Sequence, residues 1–312
     1  MSAPLIECVP NFSEGRRHEV IEALVAPFRN RRGCSLFDHR ADPDHNRLVV
    51  TLVGRPEPIQ EALIEAAKIA VERIDLETHQ GGHPRIGAVD VIPFVPLRNI
   101  TMEECITLAH NFGERFYQET EIPVYFYEEA ALRPERRQLE RIRQGQYEGL
   151  KTAVADPARR PDVGEPRLHP TAGATVIGAR KFLIAFNVNL GTTDIEVARK
   201  IARAVRASSG GLCHVKGIGL ALKDRGLVQV SLNIVDFEKN ALYRMVELIR
   251  MEARRWGVNL VETEVYGMVP AAALIDSAAY YLQLSGFDPN QVVELRLLEM
   301  EEDEEKTGKE AL

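Results

Sequence analysis

Leu227-Val228-Gln229-Val230-Ser231-Leu232-Asn233-Ile234 alternates without a break. Val228, Val230, Leu232 and Ile234 fall on one side of an extended chain and Gln229, Ser231 and Asn233 on the other, because successive side chains of a strand point to opposite faces. A strand with one apolar and one amide-rich face belongs to a sheet that buries a single side beneath helices. Asn187 and Asn189 repeat the pattern in the strand read over 182–190. The amide face is either a solvent surface or the wall of a polar ligand channel between two sheets. Alternation alone leaves both readings open.

Working outward, a helix is read over 193–207, strands over 215–220 and 258–266, and a helix face from Leu242, Met245, Ile249 and Trp256. The first half shows the same order. Residues 4–9 read as a buried strand and 16–29 as a helix with Ser13 as a candidate N-cap. Strands at 34–38 and 47–53 flank a turn at Asp42-Pro43-Asp44. Ile59, Leu63, Ala66, Ala70 and Ile74 form one helix face, and a strand follows at 88–95. Two β-α-β-β-α-β runs predict an α/β (α+β) chain of two ferredoxin-like subdomains, a repeat of element order more than of sequence. Between them a helix at 101–118 and a strand at 124–127 precede a charged, Pro- and Gly-rich stretch at 133–173. That stretch is long for a connector, and such loops are functional or disordered.

The chain has 312 residues, 45% of them apolar, enough for two domains with real cores. No run of about 18 apolar residues predicts a membrane span. Met1-Ser2-Ala3-Pro4 does not open a secretory signal, so a cytoplasmic, membrane-free protein is expected. Cys8, Cys34, Cys105 and Cys213 are scattered and form no C-x-x-C pair, which disfavours a zinc site or redox dithiol. The net charge is -7, of which -5 sits in residues 294–312. The segment 301–312 reads as a solvated acidic tail, and the nearly balanced body excludes an electrostatic nucleic-acid binder.

His79-Gln80-Gly81-Gly82-His83-Pro84-Arg85-Ile86-Gly87 is the densest chemical cluster. Its glycines and proline forbid a helix, so His79 and His83 share no helix face and do not make a zinc-protease pair. A histidine fixed in such a loop beside an arginine suits proton transfer near neutral pH. The plainer reading is an imidazole that hydrogen-bonds a backbone turn. The stretch Asp38 to Arg47 contains His39, Arg40, Asp42, Asp44 and His45, for which turn chemistry plus a substrate contact is favoured over a metal set. Gly173 and Gly178 have P-loop spacing, but Ala179-Arg180 replaces the required Lys-Ser/Thr.

At these motifs the chain resembles the glutamate formimidoyltransferase family. The resemblance is carried by Glu7-Cys8-Val9-Pro10-Asn11-Phe12-Ser13-Glu14-Gly15, by His83-Pro84-Arg85-Ile86-Gly87-Ala88-Val89-Asp90, and by Gly173 through Asn187. It implies two subdomains, 1–180 and 181–300, whose sheets face a folate tunnel, and a homodimer. It implies transfer of a formimino group from N-formimidoyl-L-glutamate to tetrahydrofolate, in histidine degradation and one-carbon metabolism, with His83 as the catalytic acid–base. It implies a folate-binding loop of Gly164, Glu165, Pro166, Arg167, Leu168, His169, Pro170, Thr171, Ala172 and Gly173. The family's vertebrate members continue into a cyclodeaminase domain, carry a tryptophan near Thr171-Ala172 and an acid at Arg40; this chain is expected to be the transferase alone. Because the substrates carry carboxylates, cations are needed, and Arg47, Arg85, Arg180 and Lys216 are the candidates. His39, Asn187, Asn189, Gln229, Ser231 and Asn233 complete the expected substrate contacts. Tetrahydrofolate is expected as co-substrate, with no metal. Formyl transfer between 5-formyltetrahydrofolate and glutamate, a non-catalytic folate binder and a metal-dependent hydrolase are the alternatives.

Overall fold

The computed structural model describes residues 3–300, and the acidic tail read at 301–312 lies outside the described residues. The chain divides into two compact units, Ala3–Arg180 and the part from Lys181 onward. Each is a mixed α/β unit with its own sheet and its own apolar core.

The first unit begins with β1 (Leu5–Cys8) and β2 (Asn11–Phe12), two pieces of one strand interrupted at Val9-Pro10. Proline has no N–H to offer a ladder, so the strand breaks there. Then come α1 (His18–Val25), β3 (Cys34–Asp42), β4 (Arg47–Gly54), α2 (Pro56–Arg73) and β5 (Val89–Arg98). Both pieces of the first strand pair antiparallel with β4 on one side and β5 on the other, and β3 closes the edge beyond β4. This is the split β-α-β-β-α-β arrangement, in which the first strand lies between the third and fourth. Helix α2 earns its place by spacing: Ile59, Leu63, Ala66 and Ala70 are all buried on one face, and Pro56 sits in its first turn. Ser13 does not cap α1; Arg17 occupies that position without a side-chain bond. The Ser13 hydroxyl instead donates to Gly87 O at 2.7 Å.

Two strands extend this sheet. After α3 (Met102–Thr120), started by a Thr101–Glu104 capping box, comes β6 (Val124–Glu128). The stretch 133–173 is not a bare loop: it contains α4 (Leu139–Ile142) and α5 (Gln146–Ala153). It ends in β7 (Thr175–Ala179), a wholly buried strand that inserts between β5 and β6 and is parallel to both. Ile142 and Leu150 pack with Val91, Tyr125, Tyr127 and Val176 in a second, smaller core. That core holds α4 and α5 against the sheet.

The second unit runs β8 (Ile184–Leu190), α6 (Ile195–Val205), β9 (Val215–Leu222), β10 (Leu227–Ile234), α7 (Leu242–Arg254) and β11 (Leu260–Tyr266), followed by α8 (Ala271–Leu282). Its sheet is antiparallel in the order β11-β8-β10-β9. Val228, Val230, Leu232 and Ile234 are buried with residues of α6 and α7, as alternation required. Trp256 is not on the helix face: it lies past the end of α7, 41% exposed, with Lys200 Nζ 4.2 Å from its ring centre. Among the described residues no helix is long and apolar enough to cross a membrane.

Candidate active site

Three loops of the first unit meet around His83. The Gly15 N–H donates to Asn46 Oδ1 at 2.9 Å, joining the segment after β2 to the β3–β4 turn. The turn closes on Asp42, whose Oδ1 accepts from the backbone of Asp44 and His45 and whose Oδ2 lies 2.5 Å from His45 Nδ1. This is the turn chemistry expected of Asp-Pro-Asp. Asn46 Nδ2 donates to Gln80 O at 2.9 Å, and Gly82 N to Asp44 O at 3.1 Å, so the turn grips the loop that carries His83. Among the described residues no three His, Cys, Asp or Glu are grouped to hold a metal ion.

His83 is partly buried at this junction. Its Nε2 lies 3.5 Å from Arg47 Nη1. A guanidinium can only donate, so Nε2 presents a lone pair there. The His45 ring meets it edge-on, centres 6.2 Å apart. Burial, then the charges of Arg47 and Arg143, push His83 down to about 3; His45 adds to this and Asp42 opposes it. The near-neutral imidazole expected from sequence is therefore corrected: the environment disfavours the cation and leaves His83 a neutral base at pH 7.

Arg85 is placed beside this loop, but its donors are engaged. Nε donates to His79 Nδ1, Nη2 to His79 O and Glu148 Oε1, and Nη1 to Gln146 Oε1 and Glu148 Oε2. All five N–H groups of the guanidinium are used. Tyr147 N donates to Arg85 O at 2.9 Å, so the start of α5 is clamped onto the segment after His83. Arg85 thus serves as a loop organiser, with a bidentate carboxylate partner from the protein itself. His79 is held below its ordinary value by burial, which suits its role as an acceptor.

The end of the 164–173 loop also reaches this junction. Ala88 N donates to Ala172 O, Ala174 N to Ile86 O, and Leu76 N to Thr171 O. Ala172 and Gly173 are buried in that pairing. His169 Nδ1 accepts from the Thr171 and Ala172 amides and stays below its ordinary value through burial. Gly164, Glu165, Pro166, Arg167 and Pro170 are exposed, and Leu168 is half-buried. With Tyr117, Gln118 and Glu121 of α3 and its cap, this outer part borders a cleft of about 390 Å³.

The remaining candidates lie elsewhere. His39 stands on β3, its Nε2 4.0 Å from Glu22 Oε1 of α1. Arg180 follows β7 and faces Glu7 and Tyr127; burial lifts Glu7 to about 7 although the Arg180 charge pulls it down. In the second unit Asn189 pairs with Gln229, Asn187 with Ser231 and Lys216 with Asn233 across the strands, on the face opposite the helices. That face is graded. Asn189 is fully buried and Gln229 nearly so, while Asn233 is exposed. Asn189 Nδ2 donates to Glu262 and Glu264, and Gln229 Nε2 to Asn189 Oδ1 and Glu264 Oε2. Arg225 pairs with the same two carboxylates. The buried end of the amide row, Asn189 and Gln229, is thus built into a polar network, while Asn233 at the other end is exposed.

Residues 5–180 match the formiminotransferase domain, N-terminal subdomain, and residues 185–300 match the formiminotransferase domain. The chain belongs to the formiminotransferase family. It is 49% identical over 297 residues to a glutamate formimidoyltransferase of Streptococcus pyogenes serotype M1, covering 95% of this chain and 99% of that one. A glutamate formimidoyltransferase of Thermoplasma acidophilum is 47% identical over 295 residues, covering 94% and 97%. The formimidoyltransferase-cyclodeaminase of Mus musculus is 46% identical over 283 residues, which span 89% of this chain but 52% of the mouse protein. In this formiminotransferase chain, sequence reading named Arg47 and Arg85 at the His83 junction but gave no role to Asp90, Arg143 or Glu148. Asp90 and His45 lay inside motifs already quoted. Arg143 and Glu148 gave no signal, standing among many charges in the stretch 133–173.

Proposed function

We propose that this chain is a glutamate formimidoyltransferase, moving the formimino group from N-formimidoyl-L-glutamate to N5 of tetrahydrofolate. The observation that carries this reading is His83: a neutral imidazole with its lone pair held beside an arginine, within a chain that matches formiminotransferase sequence over residues 5–180 and 185–300. N5 attacks the amidine carbon, a new C–N bond forms, and His83 takes the proton N5 loses. His83 then returns that proton to the glutamate nitrogen as the old C–N bond breaks, releasing L-glutamate and 5-formimidoyltetrahydrofolate. One base serving both steps is ordinary general acid–base catalysis.

Tetrahydrofolate enters as co-substrate, with the 164–173 loop of subdomain 1–180 as its contact. The working protein on this reading is a cytoplasmic homodimer in histidine degradation that needs no metal, membrane or nucleic acid. Turnover of formimidoylglutamate measured with and without tetrahydrofolate tests the reading. Loss of turnover without the folate is expected; release of glutamate without it would establish a hydrolase instead. Adding a chelator should leave the rate unchanged, and a chelator-sensitive rate restored by one divalent ion would overturn the metal-free mechanism.

The amide face gives a second prediction. Asn233→Leu replaces two hydrogen-bonding groups with an apolar branch on the exposed end of that face. If substrate rests there, the unpaired partner costs roughly 1–3 kcal/mol of binding. Thermal stability should hardly change, because the apolar side of β10 is untouched. Titration with both substrates decides it; unchanged affinities would return the face to bulk solvent.

A further inference from the structure

His79 joins the His83 loop to the turn that meets His83. Its Nε2 lies 3.1 Å from Asn46 O, and its Nδ1 accepts from Arg85 Nε at 3.1 Å. A carbonyl accepts and a guanidinium donates, so the ring between them is neutral and carries its proton on Nε2. Asn46 Oδ1 also accepts from Gly15 N, and its Nδ2 donates to Gln80 O. The chain neighbours of Asn46 are His45 and Arg47, and both meet His83. The His45 ring is edge-on to the imidazole, and Arg47 Nη1 lies 3.5 Å from its Nε2. Loop and turn are in close contact: a Cβ on Gly81 would lie 2.3 Å from His45 O and 2.8 Å from Asn46 Cβ. The far end of the loop is fixed separately. There the buried Asp90 accepts from Ile86 N at 2.8 Å and pairs with Arg143 Nη2. His83 therefore hangs between two anchors, and His79 is part of the first.

We propose, resting on the transferase reading above, that His79 is a positioning residue: its neutral ring pins the loop to Asn46 and so aligns His83 with Arg47, and gaining a second proton unpins it. A doubly protonated ring has a donor on both nitrogens. Its Nδ1–H would face Arg85 Nε–H, and Arg85 is kept from turning away by Glu148, Gln146 and His79 O on its other nitrogens. The ring must then leave, and Gln80 and Gly82 lose their register on the turn. The charged groups around His79 are Arg85 from its own loop, Glu148 from α5, and Glu14 and Arg16 from the segment after β2. Arg17, Arg73 and Asp75 border the cleft beside it. Burial opposes the cation most, Asn46 O favours it and Arg85 then opposes it, so the ring stays below its ordinary value. The attachment is thus complete above about pH 6.5. It is lost as pH falls through the lower value that His79 has in the fold.

The experiment is nitrogen NMR of the His79 ring without substrate, with steady-state rates on the same full-length proteins. Near neutral pH the ring should carry its proton on Nε2 alone; a proton on Nδ1 would overturn the proposal. As pH falls, His79 protonation and loss of hydrogen-exchange protection at Gly82 N–H, which donates to Asp44 O, should share one midpoint. Protection that persists after His79 has titrated would overturn it too. His79→Gln keeps one donor and one acceptor side by side but cannot titrate. It should turn over like the wild type at neutral pH and hold its rate further into acid. His79→Leu should lower kcat roughly tenfold to a hundredfold, the cost of a misplaced group, with KM nearly unchanged. Equal losses in both variants, or an acid-side decline that Gln does not move, would leave His79 a packing residue. Should His79→Leu fail to fold, the Gln variant and the ring still decide. A failed transferase reading would show differently, as no folate-dependent turnover in the wild type with the ring and exchange results intact.

Discussion

His83→Ala should lower turnover by about a hundredfold or more, the loss that follows removal of a positioned general acid–base. Folding should survive. The imidazole meets the edge of the His45 ring and lies a long 3.5 Å from Arg47 Nη1, among cations that it would repel if charged. Its removal therefore sacrifices little native interaction. Tetrahydrofolate affinity should also persist, because the 164–173 loop is tied to residues 86–88 rather than to the His83 ring. Steady-state turnover, a thermal melt and a folate titration on the purified variant decide the matter together. Near-normal turnover would remove His83 from the chemistry, whereas low turnover with a collapsed melt would mean the loop, not the base, had been lost.

Gly87→Ala should be the most damaging small substitution in the first unit. A Cβ there would lie 2.0 Å from Ala174 O and 2.7 Å from Val89 O, both backbone atoms that cannot swing away. Relief requires parting residues 86–88 from 172–174, which breaks the Ala88 N–Ala172 O and Ala174 N–Ile86 O bonds and loosens the Ser13 hydroxyl from Gly87 O. Overpacking of about 1–3 kcal/mol adds to roughly 1 kcal/mol for each hydrogen bond lost. The sum is on the order of 3–5 kcal/mol, or a melting shift of roughly 6–20 °C for a unit of this size. Gly82→Ala is the control. Its Cβ would meet Asp44 O at 3.5 Å and the His45 ring at 3.7 Å, ordinary contacts. A melt of Gly87→Ala that matches Gly82→Ala would show that the backbone pairing yields more easily than these distances imply.

Much of the fold was legible because burial has a period. Strand β10 announces itself by alternation, and α2 by apolar residues three and four apart, since each must bury one face. The elements that were missed lack that signal. Helices α4 and α5 bury only Ile142, Tyr147 and Leu150 within a run of arginines, too few to set a period. Strand β7 is buried on both sides, so it has no polar alternation, and the spacing of Gly173 and Gly178 drew a comparison with a P-loop instead. The same division holds for the site. His83 stood out through its Gly- and Pro-bounded loop, but its protonation state did not, because burial and two arginines from distant segments set it. Arg143 is visible only once Asp90 is seen beneath it.

The pairing of residues 86–88 with 172–174 also sets a schedule for the molecule as it is made. His83 leaves the ribosome well before Gly173, and the intervening segment supplies α3, β6, α4, α5 and the partner of the loop itself. At bacterial or eukaryotic elongation rates those residues take on the order of ten seconds to synthesise. Through that interval the nascent chain carries β1 to β5 with the His83 loop lacking its backbone partners and Asp90 lacking Arg143. Slowing translation between codons 90 and 170 should therefore lengthen exposure of this unfinished edge to proteases and chaperones, whereas the same pause once residues 172–174 have emerged from the ribosome should not.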